Sequence, residues 1–565
     1  MTWRGTLLLG AIVVPLALAA RWTGNAELKG ARFSPAPDTV EYAAEAQSLA
    51  RTGQIFLQIG PYRVRPRFPP GWPLLITPAI RLGVQGRELW RVTAIFGALL
   101  AWLLGAVAAG LTAALSPHHP DPLLPASPPS RREKREESLG KSVEASSENP
   151  LSPGGRGGGW ERGGWGSEGS PRRGGSWLAS RFAPFLAGLL AGGVWAVAPI
   201  AVDLGDTLMS DEPTALVCLA GLFLAGAAFL RRESRGAWAF ALAGGIAFGL
   251  AASMRSIVAV LMLLPLAFFL AAGLRRIGAR AVFQRAWPWA LGAAIFPAVT
   301  VLILARSGWP IWQWSGYGFW MPNRFDHLSS TFNVQFAVQP DLTFRQEVFG
   351  RPLSHLELAL RVFAGIPGVR AHHYLGYFWP IAGWLAAIPL YRIARRRNPD
   401  LAVWIAPALL LWTVAHVVVF SLYFYPSSRF YLAPLALCLV LLATACGVAL
   451  AWPDRRIKAA GAAAMVVVAL LAAQGLAELR REPLPNLDTE RTRARFNRWL
   501  EIGDERRSRR VMPFDPVHAQ ALGLLTPEIA AQVHAWGELP DTIHVRRLRA
   551  NRFLEQPPGE PQPVR

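Results

Sequence analysis

Long apolar runs separated by short polar turns set the pattern of this chain from Gly5 to Ala477. A run of roughly 17 to 25 apolar residues is the length that crosses a bilayer as a helix. The pattern predicts about eleven such spans. They are Gly5 to Ala20, Leu89 to Leu115, Ala183 to Val202, Thr214 to Leu230, Ala237 to Ser253, Ile257 to Leu274, Trp287 to Ala305, Tyr374 to Leu390, Leu401 to Phe420, Phe430 to Trp452 and Ile457 to Ala477. Gly5 to Ala20 also has the basic flank, apolar centre and small-residue end of a signal peptide. An uncleaved anchor is the better reading, because an odd number of spans places every connection consistently with the charge pattern.

Composition agrees with this class. Of 565 residues, 52% are hydrophobic, 17% are charged and 23 are tryptophans, which fits a lipid-embedded chain better than a string of soluble domains. The fold class expected is an all-α polytopic membrane protein.

Lys and Arg mark the cytoplasmic turns. RRESR (Arg231 to Arg235), RRIGARAVFQR (Arg275 to Arg285), YRIARRR (Tyr391 to Arg397) and DRRIK (Asp454 to Lys458) fall on one side. DLGDTLMSDE (Asp203 to Glu212), Arg255 and SLYFYPSSR (Ser421 to Arg429) fall on the other. Arg4 agrees with a cytoplasmic N-terminus in the inner or plasma membrane. Much of the net charge of +21 is thereby an orientation signal, and nucleic acid is not an expected partner.

Domain organisation follows. Residues 1–115 hold the first two spans and a first outward loop, 21–88. Residues 116–176 are rich in Pro, Gly, Ser and mixed charge and cannot bury a core, which marks a disordered cytoplasmic insertion. Its glycines lack the flanking strand and helix of a phosphate-binding loop. Residues 177–477 carry the remaining spans and a long outward loop, 306–373. Residues 478–565 form an outward soluble segment with short helical periodicity and no assignable chemistry. Cys218, Cys438 and Cys446 each fall inside a span and read as small apolar packing residues.

The candidate chemistry sits on the outward side. PDTVEYAAEAQSLARTG (Pro37 to Gly53) has helical spacing and predicts a helix at the membrane surface with Asp38 at its start. Asp38 is either an N-cap or a functional carboxylate, and Glu41 and Tyr42 follow it at i+3 and i+4. PYRVRPRFPPGWPLLI (Pro61 to Ile76) places Arg63, Arg65 and Arg67 before a Pro-Pro-Gly turn. Guanidinium groups at an interface suit phosphate, with snorkelling to lipid headgroups as the alternative. Asp211 and Glu212 open a span and read as capping acids or site carboxylates. Arg255 and Arg429 each stand at an outward helix end among few other charges, where snorkelling or phosphate binding explains them. GWPIWQWSGYGFWMP (Gly308 to Pro322) reads as an aromatic belt, with sugar stacking as the alternative. His372 and His373 lack a third ligand, so no metal site is assigned. A transporter or flippase would want ionisable groups at mid-membrane, and His416 is the main one inside a span.

The first outward loop resembles that of the GT-C membrane glycosyltransferases. Asp38, Tyr42 four residues later, an Ala-rich helix ending in Leu-Ala-x-x-Gly, and Phe-Pro-Pro-Gly-Trp-Pro-Leu-Leu carry the likeness. Within that superfamily the chain is most similar to the protein O-mannosyltransferase and lipid A aminoarabinose transferase group. TLMSDEPTALVCLAGLFLA (Thr207 to Ala225) resembles the family's second acidic motif. FGLAASMRSIVAVLMLLPLAF, with Arg255, resembles its Gly-Leu-Ala and basic residue, and SSRFYLAPLALCLVLLA resembles its Arg-Tyr-Leu-x-Pro segment. The chain departs from the pattern at Thr39, where some members have a second acid, and at Phe68, where the aminoarabinose type has Lys.

The resemblance implies an inverting transfer from a polyprenyl-phosphate sugar to an acceptor hydroxyl on a glycolipid, polymer or protein at the extracytoplasmic face. It implies no cofactor, with metal independence or a weak divalent-metal dependence. Asp38 is the expected base, with Asp211 and Glu212 as further candidate carboxylates. Glu41 and Tyr42 position substrate, and Arg63, Arg65, Arg67, Arg255 and Arg429 are the candidate ligands of the donor phosphate.

Overall fold

The computed structural model describes residues 3–27, 37–59, 62–64, 66, 68–84, 86–117, 174–205, 208–230, 236–311, 379–406, 411–421 and 428–481. Among these, the helical architecture expected from the hydropathy pattern is present. The chain order is α1 (Trp3–Glu27), α2 (Pro37–Thr52), a hairpin of β1 (Leu57–Ile59) and β2 (Tyr62–Val64), α3 (Gly71–Arg81), α4 (Trp90–Leu115), α5 (Gly174–Val197), α6 (Pro199–Gly205), α7 (Asp211–Leu230), α8 (Ala237–Met254), α9 (Ser256–Ile277), α10 (Ala279–Arg306), α11 (Trp379–Arg397), α12 (Pro399–Ala406), α13 (Trp412–Ser421), α14 (Leu432–Leu450) and α15 (Arg455–Arg481). The insertion between 118 and 173, most of the long outward loop and the segment from 482 lie outside the described residues.

Eight of these helices are long and apolar enough to cross a membrane, and the chain is a multi-pass membrane protein. The expected spans divide accordingly. Ala183 to Val202 breaks at Ala198, because the residue before Pro199 is pushed out of helical geometry, and its apolar helix is the shorter stretch Phe182–Val197. Leu401 to Phe420 is occupied by two short helices, α12 and α13, on either side of 407–410, and Tyr374 to Leu390 by α11 with its arginine-rich last turn. Eight of the eleven expected spans are thus full-length apolar helices among the described residues.

Helix α14 is the hub. It packs on α4, α5, α11 and α15, and 83% of its apolar stretch is buried, against 17% for α10 and α15 at the rim. Lipid tails give no hydrophobic drive for helices to associate, so close backbone approach has to supply the contact. Gly105 of α4 and Gly188 of α5 show how: a Cβ on either would lie 2.7 or 2.8 Å from the other's carbonyl oxygen. The rim helices turn large side chains such as Leu291, Leu302 and Leu470 outward, as an apolar solvent permits.

At one end of the bundle, basic side chains close helix C-termini. Arg285 donates to the Ala228 carbonyl at 2.7 Å and Arg397 to the Leu115 carbonyl at 2.9 Å, while Arg276 pairs with Asp400. These are the segments read as cytoplasmic turns. The opposite end gathers the last turns of α1 and α8, the first turns of α7, α9 and α14, and the surface elements α2 and α3.

Candidate functional site

The described part of the loop between α1 and α4 docks on that second end through small and aromatic residues. Pro69 and Pro70 are buried and cannot donate backbone hydrogen bonds, so the helix starts at Gly71. A Cβ at Gly71 would collide with the Ser253 carbonyl, and so only glycine lets α3 settle on the last turn of α8. The next residue, Trp72, is fully buried and donates its indole N–H to the Leu208 carbonyl at 2.9 Å. Farther back, Trp309 donates to the Ile55 carbonyl at 2.7 Å and the Ser307 hydroxyl accepts from the Ile55 N–H at 2.8 Å, fastening the loop to the end of α10.

Helix α2 supplies Tyr42, whose ring packs on Phe68 with centroids 4.7 Å apart and whose hydroxyl lies 3.1 Å from Ser210 Oγ. Ser210 stands just before α7, and its carbonyl accepts the first helical bond, from the Thr214 N–H at 2.9 Å. Its hydroxyl also accepts from Arg255 Nε at 2.9 Å. Arg255 is the single extended residue between α8 and α9, at φ −148° and ψ 98°. That break throws its side chain toward α7, where Nη2 meets Asp211 Oδ2 at 3.0 Å.

Arg429 enters from a 3₁₀ turn, Ser428–Tyr431, ahead of α14. Its guanidinium lies 5.3 Å from the Phe430 ring centroid, and that of Arg255 lies 5.8 Å from the same ring. Two cations thus share one aromatic side chain, which favours them electrostatically without neutralising either. Arg429 Nη1 also lies 4.0 Å from Met209 Sδ, tying this turn to the segment before α7.

The two adjacent acids of α7 face different partners. Asp211 holds Arg255; Glu212 pairs with Arg21 of α1 at 2.8 Å, with both side chains fully buried. Each carboxylate also gains from the positive end of the helix it opens. Neither is a free capping acid, and neither presents an open carboxylate to solvent.

The sequence-derived candidates are placed as follows. Tyr42, Asp211, Arg255 and Arg429 converge within one set of contacts, and Glu212 adjoins it on the core side. Asp38 and Glu41 occupy the first turns of α2, four and one residues before Tyr42, with side chains outside the described set. Arg63 pairs with Gln58 in the hairpin register, and its side chain is outside the described set, as are Arg65 and Arg67 altogether. His372 and His373 also lie outside it. Three features escaped sequence reasoning. Ser210 carries no charge to single it out, Arg21 reads as an ordinary flank of the first span, and the hairpin was signalled only by Gly60-Pro61 between two short alternating runs.

Among the described residues no three His, Cys, Asp or Glu side chains gather in a way that could hold a metal ion. His416, the ionisable group inside a predicted span, is buried, and its Nδ1 lies 2.8 Å from the Trp412 carbonyl of its own helix.

No family model and no curated protein matches the chain. Among solved structures it is similar to ArnT from Cupriavidus metallidurans in the apo state, at 18% identity and a TM-score of 0.44, over 94% of this chain and 76% of that one. It is also similar to the same protein bound to undecaprenyl phosphate, at 17% identity and a TM-score of 0.40, over 93% and 76%. The Archaeoglobus fulgidus oligosaccharyltransferase in the apo form is matched at 12% identity and a TM-score of 0.43, over 92% of this chain and 60% of that one.

Proposed function

We propose that the chain is a membrane glycosyltransferase of GT-C-like architecture that moves a sugar from a polyprenyl-phosphate donor to an acceptor hydroxyl on the extracytoplasmic side. The observation that carries this reading is the meeting at Ser210 of Tyr42 and Arg255. It joins three of the four segments whose sequences resemble the family, although they are far apart along the chain.

The chemistry follows from the residue types. A lipid-linked donor reaches the site from the bilayer with its phosphate at the interface. Arg255 and Arg429 offer guanidinium donors to that phosphate, and Arg63, Arg65 and Arg67 belong to the loop that also carries Gly71 and Trp72. The acceptor oxygen bonds to the anomeric carbon as the bond from that carbon to the phosphate oxygen breaks. The electron pair leaves on the lipid phosphate, where guanidinium groups stabilise the developing charge. The proton of the hydroxyl passes to Asp38 as general base. Attack from the face opposite the phosphate inverts the sugar.

Asp211 and Glu212 are given other parts. With its carboxylate on Arg255, Asp211 directs a donor-phosphate ligand, and Glu212 lies one layer deeper. Glu41 and Tyr42, adjacent residues one turn along the helix that carries Asp38, position the sugar or acceptor.

The test is to supply the purified protein in sealed liposomes with a polyprenyl-phosphate sugar labelled in the sugar and with an envelope extract as acceptor. Label should move to acceptor material while free polyprenyl phosphate appears in equal amount. Donor that crosses the bilayer uncleaved, with no polyprenyl phosphate released, would replace the reading with transport.

A further inference from the structure

Arg21 and Glu212 form a fully buried ion pair that the proposed chemistry does not use. Arg21 lies in the last turns of α1, where Nη1 also donates to the Ala17 carbonyl at 3.1 Å, and Glu212 lies in the first turn of α7. The pocket around them is cut to fit. A Cβ at Gly97 of α4 would collide with both Glu212 Oε2 and the Arg21 guanidinium, and one at Gly205, the end of α6, would collide with Arg21 Nε. Four elements therefore meet on one pair of charges.

Burying two charges costs more than most ion pairs return, so such a pair is weak support for stability and calls for another reason. Its position supplies one. Glu212 directly follows Asp211, and Asp211 and Ser210 together hold both donor groups of Arg255, Nη2 and Nε. Successive helical residues point about 100° apart, so fixing the Glu212 carboxylate toward α1 fixes the rotation of the first turn of α7 and aims Asp211 at Arg255.

We propose that Arg21 and Glu212 are positioning residues for the donor-phosphate site, setting through Asp211 the direction in which the Arg255 guanidinium is presented. The inference rests on the reading of Arg255 as a ligand of the lipid phosphate. It gives neither residue a direct contact with substrate.

The test separates positioning from mere stability. Replacing both partners by apolar side chains, Arg21→Met with Glu212→Leu, removes the charges without leaving one unpaired, a change that often leaves buried sites as stable as before or more so. Thermal unfolding and undecaprenyl phosphate affinity in nanodiscs are measured on this double variant, on Arg255→Gln, and on the triple combination. The double variant should unfold at or near the wild-type temperature yet bind undecaprenyl phosphate about tenfold more weakly, a coupling of the size found between residues in one network. The triple variant should bind no worse than Arg255→Gln alone. Wild-type affinity in the double variant, or a triple variant weaker than Arg255→Gln by the same factor as the double is weaker than wild type, would overturn the inference. If the double variant unfolds early, the pair is structural and the inference also falls. Wild-type affinity in Arg255→Gln would instead remove the phosphate-site reading itself, and the inference with it.

Discussion

Asp211 and Arg255 form an ion pair at 3.0 Å in which the carboxylate is fully buried and the guanidinium side chain is 17% exposed. The asymmetry gives the pair a direction. The acid is enclosed and serves as a fixed anchor, while the guanidinium of the base lies 5.8 Å from the Phe430 ring centroid, beside Arg429. A guanidinium held on two of its five donors has further donors with which to bind a second anion.

Replacing Arg255 or Arg429 by Gln should therefore weaken binding of a polyprenyl phosphate by roughly ten- to hundredfold, the value of about 1.5–3 kcal/mol for a hydrogen bond to a charged group. Replacing Arg231 in the RRESR turn at the other end should leave affinity unchanged. Titration of undecaprenyl phosphate into the purified variants distinguishes the two sets, and equal losses from both would reduce the outward arginines to helix anchors.

The pocket around Arg21 and Glu212 makes a steric prediction. Gly97→Ala should destabilise the protein by about 1–3 kcal/mol, because the new methyl displaces a buried ion pair. Gly110→Ala, on the same helix with open space at its Cβ, should be neutral or stabilising by up to about 1 kcal/mol. Thermal unfolding midpoints of the two variants in the same detergent check the contrast.

How much of this was legible in the sequence depends on which signal each residue leaves. Arg255 and Arg429 stood out because charge at the end of an apolar run is costly to place idly near lipid, Asp211 because two adjacent acids open one span, and Tyr42 through its spacing from Asp38. The helix from Asp38 was readable from its 3.6 spacing. Arg21 was hidden because a basic residue after an apolar segment has an ordinary explanation as a flank, and only the fold brings Glu212 to it across 191 positions. Ser210 was hidden because a single serine has no pattern. The expected span Ala183 to Val202 is not one continuous helix, because hydropathy runs on where the backbone does not, at Ala198 before Pro199.

Orientation is open to direct measurement. A reporter fused after Ala477 should read outside the cytoplasm, and one placed within 116–176 should read inside, as the distribution of Lys and Arg requires. The same side for both would mean that an even number of crossings separates them.

Deleting Pro120 to Gly175 and joining the ends with a short flexible linker should leave folding and transfer largely intact. The helices on either side, α4 and α5, already pack against each other along their length, so the segment between them is not needed to align them. A well-expressed but inactive deletion variant would assign the segment a role in the reaction.

Asp38 carries the sharpest prediction. It lies at the second position of α2, four residues before Tyr42, and residues i and i+4 of a helix lie one above the other. Asn at this position keeps the size and the capping oxygen but cannot take a proton as an effective base. If Asp38 only caps, Asp38→Asn turns over normally. If it is the base, turnover falls by roughly a hundredfold or more while the protein still folds and inserts. Donor binding should survive in either case, because the lipid phosphate is assigned to arginines. Transfer and undecaprenyl phosphate affinity measured on the same purified Asp38→Asn protein decide between the two. Asp211 and Glu212 are poor substitutes for the role, each being committed to a buried arginine pairing, so near-normal transfer would send the search for the base to Glu41 on the next turn of α2.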